Sequence, residues 1–380
     1  MPVVNIAPPN PGITSRDVLD ALRASGKPLH EWGRAIDGTP LLAARTGGDK
    51  QPAIFITAGS HAPETAGVHA ALNLLDELRT EHETHVLPLR DPLGFDGVNR
   101  CLSFAAGATV ELSGHRAALD YLNAGAQLIW RHGDCRVFEL NNLGFMWDTP
   151  APGAERMLTM QADLVTLTRD EPEALRDLWG CRVLVLCALV GVEGTGEMQR
   201  CWHGVLSSEG EWLHLNRFFG RADAPSEVAA VDGLMQTVRP GLTCDLHEGN
   251  GPGFWMPMRR PKVDPERVFE MTRAFFDYIN ARGYPITSYD AWKATDRNVG
   301  TNYVPDWMQP EPRLPGMFWA DGTRRNEGYN LIDYSGLFGI AYGTEAPLER
   351  PLAERVDGIT NGILAAIDVW ERTVDGSADG

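Results

Sequence analysis

Short apolar runs that stop at small or polar residues alternate along this chain with stretches whose apolar residues recur every three or four positions. That alternation restricts the fold more than any other feature. Residues 53–57 (Ala-Ile-Phe-Ile-Thr) end in Ala58-Gly59-Ser60, the pattern of a buried strand running into a turn. From Glu64 onward, Val68, Ala71, Leu72, Leu75 and Leu78 fall on one helical face. Further strands are predicted at 86–89, 181–192, 242–246 and 337–344. Ser226 is placed to cap a helix whose buried face is Val228, Val231, Leu234, Met235 and Val238, with Gly241 closing the turn after Pro240. Asp264-Pro265 opens a helix to residue 283 with proline at its first position, and a closing amphipathic helix spans 351–370. Strands interleaved with helices predict an α/β fold: a mixed, largely parallel central sheet flanked by helices.

Two stretches depart from this rhythm. Residues 300–316 carry Pro305, Pro310, Pro312 and Pro315 and read as an irregular surface loop. Residues 101–180 mix an Ala-rich helix at 117–126, a Pro- and Gly-rich loop at 141–153 and another helix.

Composition bears on compartment and partners. The formal net charge is −17, so neither a nucleic acid nor an anionic membrane finds the basic face it would need. With 43% hydrophobic and 22% charged residues, the chain has the balance of a globular protein. The strongly apolar run at 183–192 is too short to span a bilayer. The N-terminal stretch, with Pro8, Pro9 and Pro11, lacks the basic-then-apolar order of a signal peptide. Six scattered cysteines (Cys101, Cys135, Cys181, Cys187, Cys201, Cys244) form no C-x-x-C pair, which predicts reduced thiols in a cytoplasmic protein.

Four short motifs fall at predicted strand ends, where α/β proteins assemble their sites. His61-Ala62-Pro63-Glu64 follows the 53–57 strand, and a His and a carboxylate three apart can face one metal ion; alone, the pair reads more readily as a surface His and a helix-opening acid. Asp245-Leu246-His247-Glu248-Gly249 ends the 242–246 strand, and His247 is placed for a third ligand. In His214-Leu215-Asn216-Arg217-Phe218-Phe219, Asn216 and Arg217 could form a fork for a carboxylate, or Arg217 could be a salt-bridged neighbour of core phenylalanines. Gly343-Thr344-Glu345 presents an acid that serves as a general base or an ion-pair partner.

Taken in order, H-x-x-E, L-N-R-x-F, D-L-H and T-E resemble the M14 zinc carboxypeptidase family, which includes the succinylglutamate desuccinylase/aspartoacylase branch. Residues 31–38 ahead of the 53–57 strand, and Pro225-Ser226-Glu227 leading towards Asp245-Leu246-His247, are similar to the family's flanking segments. The resemblance covers 31–100 and 181–370. It implies one zinc-carboxypeptidase-like domain over 1–380, with 101–180 as an insertion that could act as a lid or an oligomer contact.

Carried over by position, the resemblance implies one zinc ion on His61, Glu64 and His247, with Asn216 and Arg217 holding a substrate carboxylate and Glu345 as general base. It also implies an arginine for the oxyanion. Arg200, seventeen residues before Arg217, is favoured over Arg100, which follows a turn-like Asp91-Pro92-Leu93-Gly94. The sequence departs from the family in three places. Ala62-Pro63 stands where H-G-x-E is usual, and no clear substrate tyrosine appears beyond Tyr329 and Tyr334. His214 stands where an Asp usually steadies the first ligand, which predicts that this support comes from elsewhere. Trp255, Phe254 and Met256 line either the pocket or the core; Asp245 and Glu248 flank His247 and could orient it, with a solvated acid as the alternative for Glu248.

The implied activity is hydrolysis of an amide bond beside a free carboxylate, in a small peptide or an N-acyl amino acid. Length and the 226–227 helix start lean towards the carboxypeptidase branch over the amidohydrolase one. A non-catalytic zinc- or carboxylate-binding relative is the alternative, against which the retained Glu345 speaks. A cysteine hydrolase using Cys101 or Cys244 has only isolated cysteines behind it.

Overall fold

The computed structural model describes residues 3–149, 151–152, 163–164, 166–186, 189–207, 210–249, 251–261, 264–295, 308–320 and 329–376. Six strands form the central sheet: β1 (Leu29–Arg34), β2 (Pro40–Gly47), β3 (Lys50–Ala58), β4 (His82–Leu87), β5 (Leu242–Gly249) and β6 (Ile340–Pro347). Their order is β1-β2-β4-β3-β5-β6. β4, β3, β5 and β6 run parallel, and β1 and β2 add an antiparallel edge. This is the expected mixed, largely parallel sheet.

Period-two alternation sorts the strand residues into two layers. Ile54 and Ile56 of β3 and Val86 of β4 join one apolar cluster with α1 (Thr65–Glu77), α3 (Pro265–Ala281) and α4 (Leu352–Gly376). Phe55 and Leu87 point the other way, into a cluster with Val228, Val231, Leu234 and Met235 of α2 (Ser226–Val238). Each such large side chain, once fully buried, contributes roughly 1.5–3 kcal/mol. With helices on both faces, β5 is buried from Leu242 through Glu248.

A second six-stranded sheet joins the 101–180 region to strands later in the chain. Its order is Trp212–His214, Trp202–Leu206, Arg182–Leu186, Leu143–Trp147, Cys135–Leu140, Gln127–His132. Leu143–Trp147 pairs parallel with Arg182–Leu186, so three strands from within 101–180 extend the sheet whose other edge leads into Leu215–Arg217.

Several boundaries differ from the sequence expectation. β4 ends at Leu87, because Pro88 cannot donate to a ladder. β6 starts only at Ile340, and Leu337, expected in the strand, is 63% exposed in a turn. The N-cap of α2 is Pro225, with Ser226 the first helical residue, its hydroxyl turned to Glu227. The left-handed residue that ends α2 is Arg239, while the Gly241 amide pairs with the Ala53 carbonyl. Positions 150, 153, 187, 250 and 300–307, over which parts of the expected loops and the 181–192 run extend, lie outside the described residues.

Candidate metal centre

Two local devices bring the first and second motifs together. A tight turn follows β3, closed by the Glu64 amide donating to the His61 carbonyl at 3.0 Å, and it leaves Glu64 at the N-cap of α1. Pro63 therefore precedes the helix and breaks no helical hydrogen bond. Gly67 then lets α1 press against β5: a Cβ there would stand 2.5 Å from the Leu246 carbonyl oxygen. The start of α1 is thus held beside the end of β5, where His247 projects.

The three side chains converge. His61 Nδ1 lies 2.6 Å from Glu64 Oε1, and His247 Nδ1 lies 2.7 Å from Glu64 Oε2. One ligand atom from each of the three lies within 4.8 Å of the others. Glu64 and His247 are buried, and His61 forms the more open edge.

Each imidazole offers Nδ1 to the same point and has Nε2 directed to another group. His61 Nε2 is 2.9 Å from His214 Nδ1, and His247 Nε2 is 2.8 Å from Asp245 Oδ2. Asp245 is in turn held by Arg90 at 2.6 Å. Two rings oriented by outer partners, with a carboxylate between them, are a donor set that fits a metal ion.

The electrostatics agree. Burial alone would raise the Glu64 pKa, but the His61 and His247 imidazoles outweigh it and bring it down to about 2. Burial likewise opposes a charge on His247, yet Asp245 and Glu64 carry its pKa well above the ordinary histidine range. His61 goes the other way, because burial exceeds the pull of Glu64. The carboxylates of Glu64 and Asp245 thus make the centre a place that favours positive charge.

Glu345 sits on β6 in register with His247 on β5. Burial pushes its carboxyl up to about 8, against the pull of His247 and with the push of Glu64. Asn216 is buried against the centre, its Nδ2 3.3 Å from His247 Nε2 and its Oδ1 accepting the Leu331 amide at 3.0 Å. Arg217, half-buried, bonds the Asn216 carbonyl at 2.8 Å, and its charge bears on His61.

The two arginines considered for an oxyanion are held elsewhere. Arg200 is buried over the Phe95 ring and donates to the carbonyls of Ile13, Phe95 and Gln199. Burial lowers its pKa to about 10. Arg100 pairs with Asp37 at 2.7 Å and is 44% exposed at its side chain. Of the tyrosines, Tyr334 is buried with its hydroxyl bonded to Asp232 and Gln236 of α2, and Tyr329 pairs by backbone with Phe219.

Other residues take places that the sequence alone does not assign. His214 itself meets His61, so the support expected from elsewhere comes from the residue already in that position. Trp202 stacks on His61 with centroids 4.6 Å apart and an interplanar angle of 13°. Glu248 is not solvated: it is buried in an ion pair with Arg355 of α4. Phe254 and Met256 belong to the main core. Trp255 instead joins Trp292, Met308 and Phe318 and pairs by backbone with Glu345. The one signal for Arg90 is its place before Asp91-Pro92, and nothing in the sequence singles out Trp202.

No protein-family model matches the chain, and no curated protein matches it either. Among solved structures it is similar to a metallo-carboxypeptidase from Burkholderia cenocepacia, with a TM-score of 0.48 and 12% identity over 95% of this chain and 70% of that one. It is also similar to the carboxypeptidase A from Helicoverpa armigera, with a TM-score of 0.47 and 12% identity over 97% of this chain and 75% of that one. Likeness at this level leaves function to be judged from the side chains of the centre. Among the described residues, no helix is long and apolar enough to cross a membrane.

Proposed function

We propose that the protein is a zinc-dependent hydrolase of amide bonds adjacent to a free carboxylate. The observation that carries this reading is the convergence of His61 Nδ1 and His247 Nδ1 on the two oxygens of Glu64, with Glu345 in register beside His247. Two imidazoles and one carboxylate are a three-ligand set that leaves a coordination position open. Zinc held there supplies a Lewis acid and brings the pKa of water to about 7.

The remaining work falls to the chain's own side chains. Arg217 and Asn216 hold the substrate's carboxylate beside the His61 edge, which fixes the register of the scissile bond. Glu345, ionised, takes the proton from the attacking water and delivers it to the leaving amine. Small peptides and N-acyl amino acids share the free carboxylate, and both belong to the substrate class. Cytoplasmic residence is consistent with the scattered cysteines.

The test pairs metal analysis with a screen of dipeptides and N-acyl amino acids. One zinc per chain is expected, with activity lost on chelation and restored by zinc. Glu345→Gln should keep the zinc content and lower kcat by at least about 100-fold, the lower end of general-base contributions. Full activity after exhaustive metal removal sinks the proposal, and full activity of Glu345→Gln moves the base elsewhere.

A further inference from the structure

His214 occupies the last residue of the Trp212–His214 strand, where its pairing with Gly204 fixes it in the second sheet. It is buried, and its Nδ1 lies 2.9 Å from His61 Nε2. The two imidazoles meet edge-on with centroids 4.6 Å apart, and the ring of His61 is held on one further side, flat against Trp202 at 4.6 Å. His61 Nδ1 faces Glu64, so a metal bound there takes the Nδ1 lone pair and leaves the ring proton on Nε2. His214 Nδ1 must then accept that proton's hydrogen bond as an uncharged nitrogen.

An uncharged acceptor polarises a ligating imidazole less than a carboxylate does, because a hydrogen bond to an ionised acceptor is roughly twice as strong. Groups that orient a metal-bound histidine change metal affinity by about 10- to 100-fold. The side-chain geometry makes the comparison clean. Nδ1 of histidine branches from Cγ as Oδ1 of aspartate and asparagine does, so either residue at 214 would put an oxygen near the same point.

We propose that His214 is a positioning residue that sets the affinity of the centre for its metal, orienting His61 while keeping it a weaker donor than a carboxylate partner would. This rests on the zinc reading of His61, Glu64 and His247.

Competition between the purified metal-free protein and a zinc chelator of known affinity tests it, with melting of the metal-free proteins as a check on folding. His214→Asn retains a neutral acceptor and should bind zinc within about threefold of the wild type. His214→Asp should bind at least about 10-fold more tightly than His214→Asn, and His214→Leu at least about 10-fold more weakly. If Asp and Asn at 214 bind alike while the wild type holds one zinc, the positioning role is overturned and the zinc reading stands. If His214→Leu does not fold, the Asp–Asn comparison alone decides. A wild type that binds no zinc, or binds it equally well as His61→Ala, overturns the zinc reading and this proposal with it.

Discussion

Neighbouring residues of β5 have opposite duties. His247 and Asp245 face the α2 side and build the centre, while Glu248 faces α1 and α4. There its carboxylate accepts the Ala66 amide at 2.5 Å and pairs with Arg355, both side chains fully buried. Arg355 also donates to the Glu193 carbonyl at 2.6 Å. Removing one partner strands the other charge in the core, so Glu248→Ala should cost about 3–5 kcal/mol, read as a lower urea midpoint with an unchanged slope. Replacing Glu248 and Arg355 together by Met should recover most of that loss. A single variant within about 1 kcal/mol of the wild type would show that the pair contributes little. At this scale the legible residues are those whose partners lie near in sequence or at strand ends. His61 and Glu64 share one turn, and His247 ends a strand of obvious apolar character. His214 stands in a legible motif, but its partnership with His61 does not show, because a contact across 153 positions leaves no periodic trace. Arg200 is the opposite case: its spacing to Arg217 is the one the resemblance implies, but burial commits its guanidinium to three carbonyls.

Elements obey the same logic. The alternation of apolar runs and amphipathic stretches is a local signal, and β3, β5 and α1 to α4 are visible in it. The sheet made by Gln127–His132, Cys135–Leu140 and Leu143–Trp147 is not, since Leu143–Trp147 completes its pairing with Arg182–Leu186, a partner that no local pattern announces. Nor does sequence distinguish the glycine that sets an element's distance from one that merely sits on its surface. Gly67 and Gly233 both lie inside helices, yet a Cβ at Gly67 would stand 2.5 Å from the Leu246 carbonyl oxygen and one at Gly233 would meet nothing within 4 Å. Opposite outcomes are expected. Gly67→Ala must push α1 off β5, costing about 1–3 kcal/mol, and with it the approach of Glu64 to His247, so the rise in Tm on adding zinc should shrink. Gly233→Ala should stabilise by about 0.5–1 kcal/mol and leave that rise unchanged. Equal behaviour of the two variants in paired melts would mean that α1 can shift without disturbing the centre.

The two sheets are joined by a buried polar chain rather than by apolar contact alone. Glu227, at the start of α2, accepts the Ile36 amide at 2.9 Å and pairs with Arg182 of the second sheet at 2.7 Å. Arg182 reaches His203 Nε2 at 3.2 Å, and His203 Nδ1 lies 2.9 Å from Asp91 beyond the end of β4. One carboxylate therefore ties α2, the loop after β1 and the second sheet together, which makes the joint sensitive to acid. Burial would raise the Glu227 pKa, but Arg182 first and His203 next outweigh it, and the group sits below its ordinary 4.5. A folded pKa below the unfolded one means that Glu227 contributes stability fully above pH 4.5. That contribution fades as pH falls through the lower folded value. The wild type should therefore lose Tm steeply below about pH 4.5. Glu227→Gln, which keeps the shape but removes the charge opposite Arg182, should cost about 3–5 kcal/mol at pH 7 and show a shallower acid slope. Its spectroscopic signals from the two sheets should also separate into two melting steps sooner than in the wild type. Melts at pH 7, 5, 4 and 3, followed by tryptophan fluorescence and far-ultraviolet dichroism together, measure both effects. Parallel acid slopes in wild type and variant would place the acid-sensitive joint at some other carboxylate.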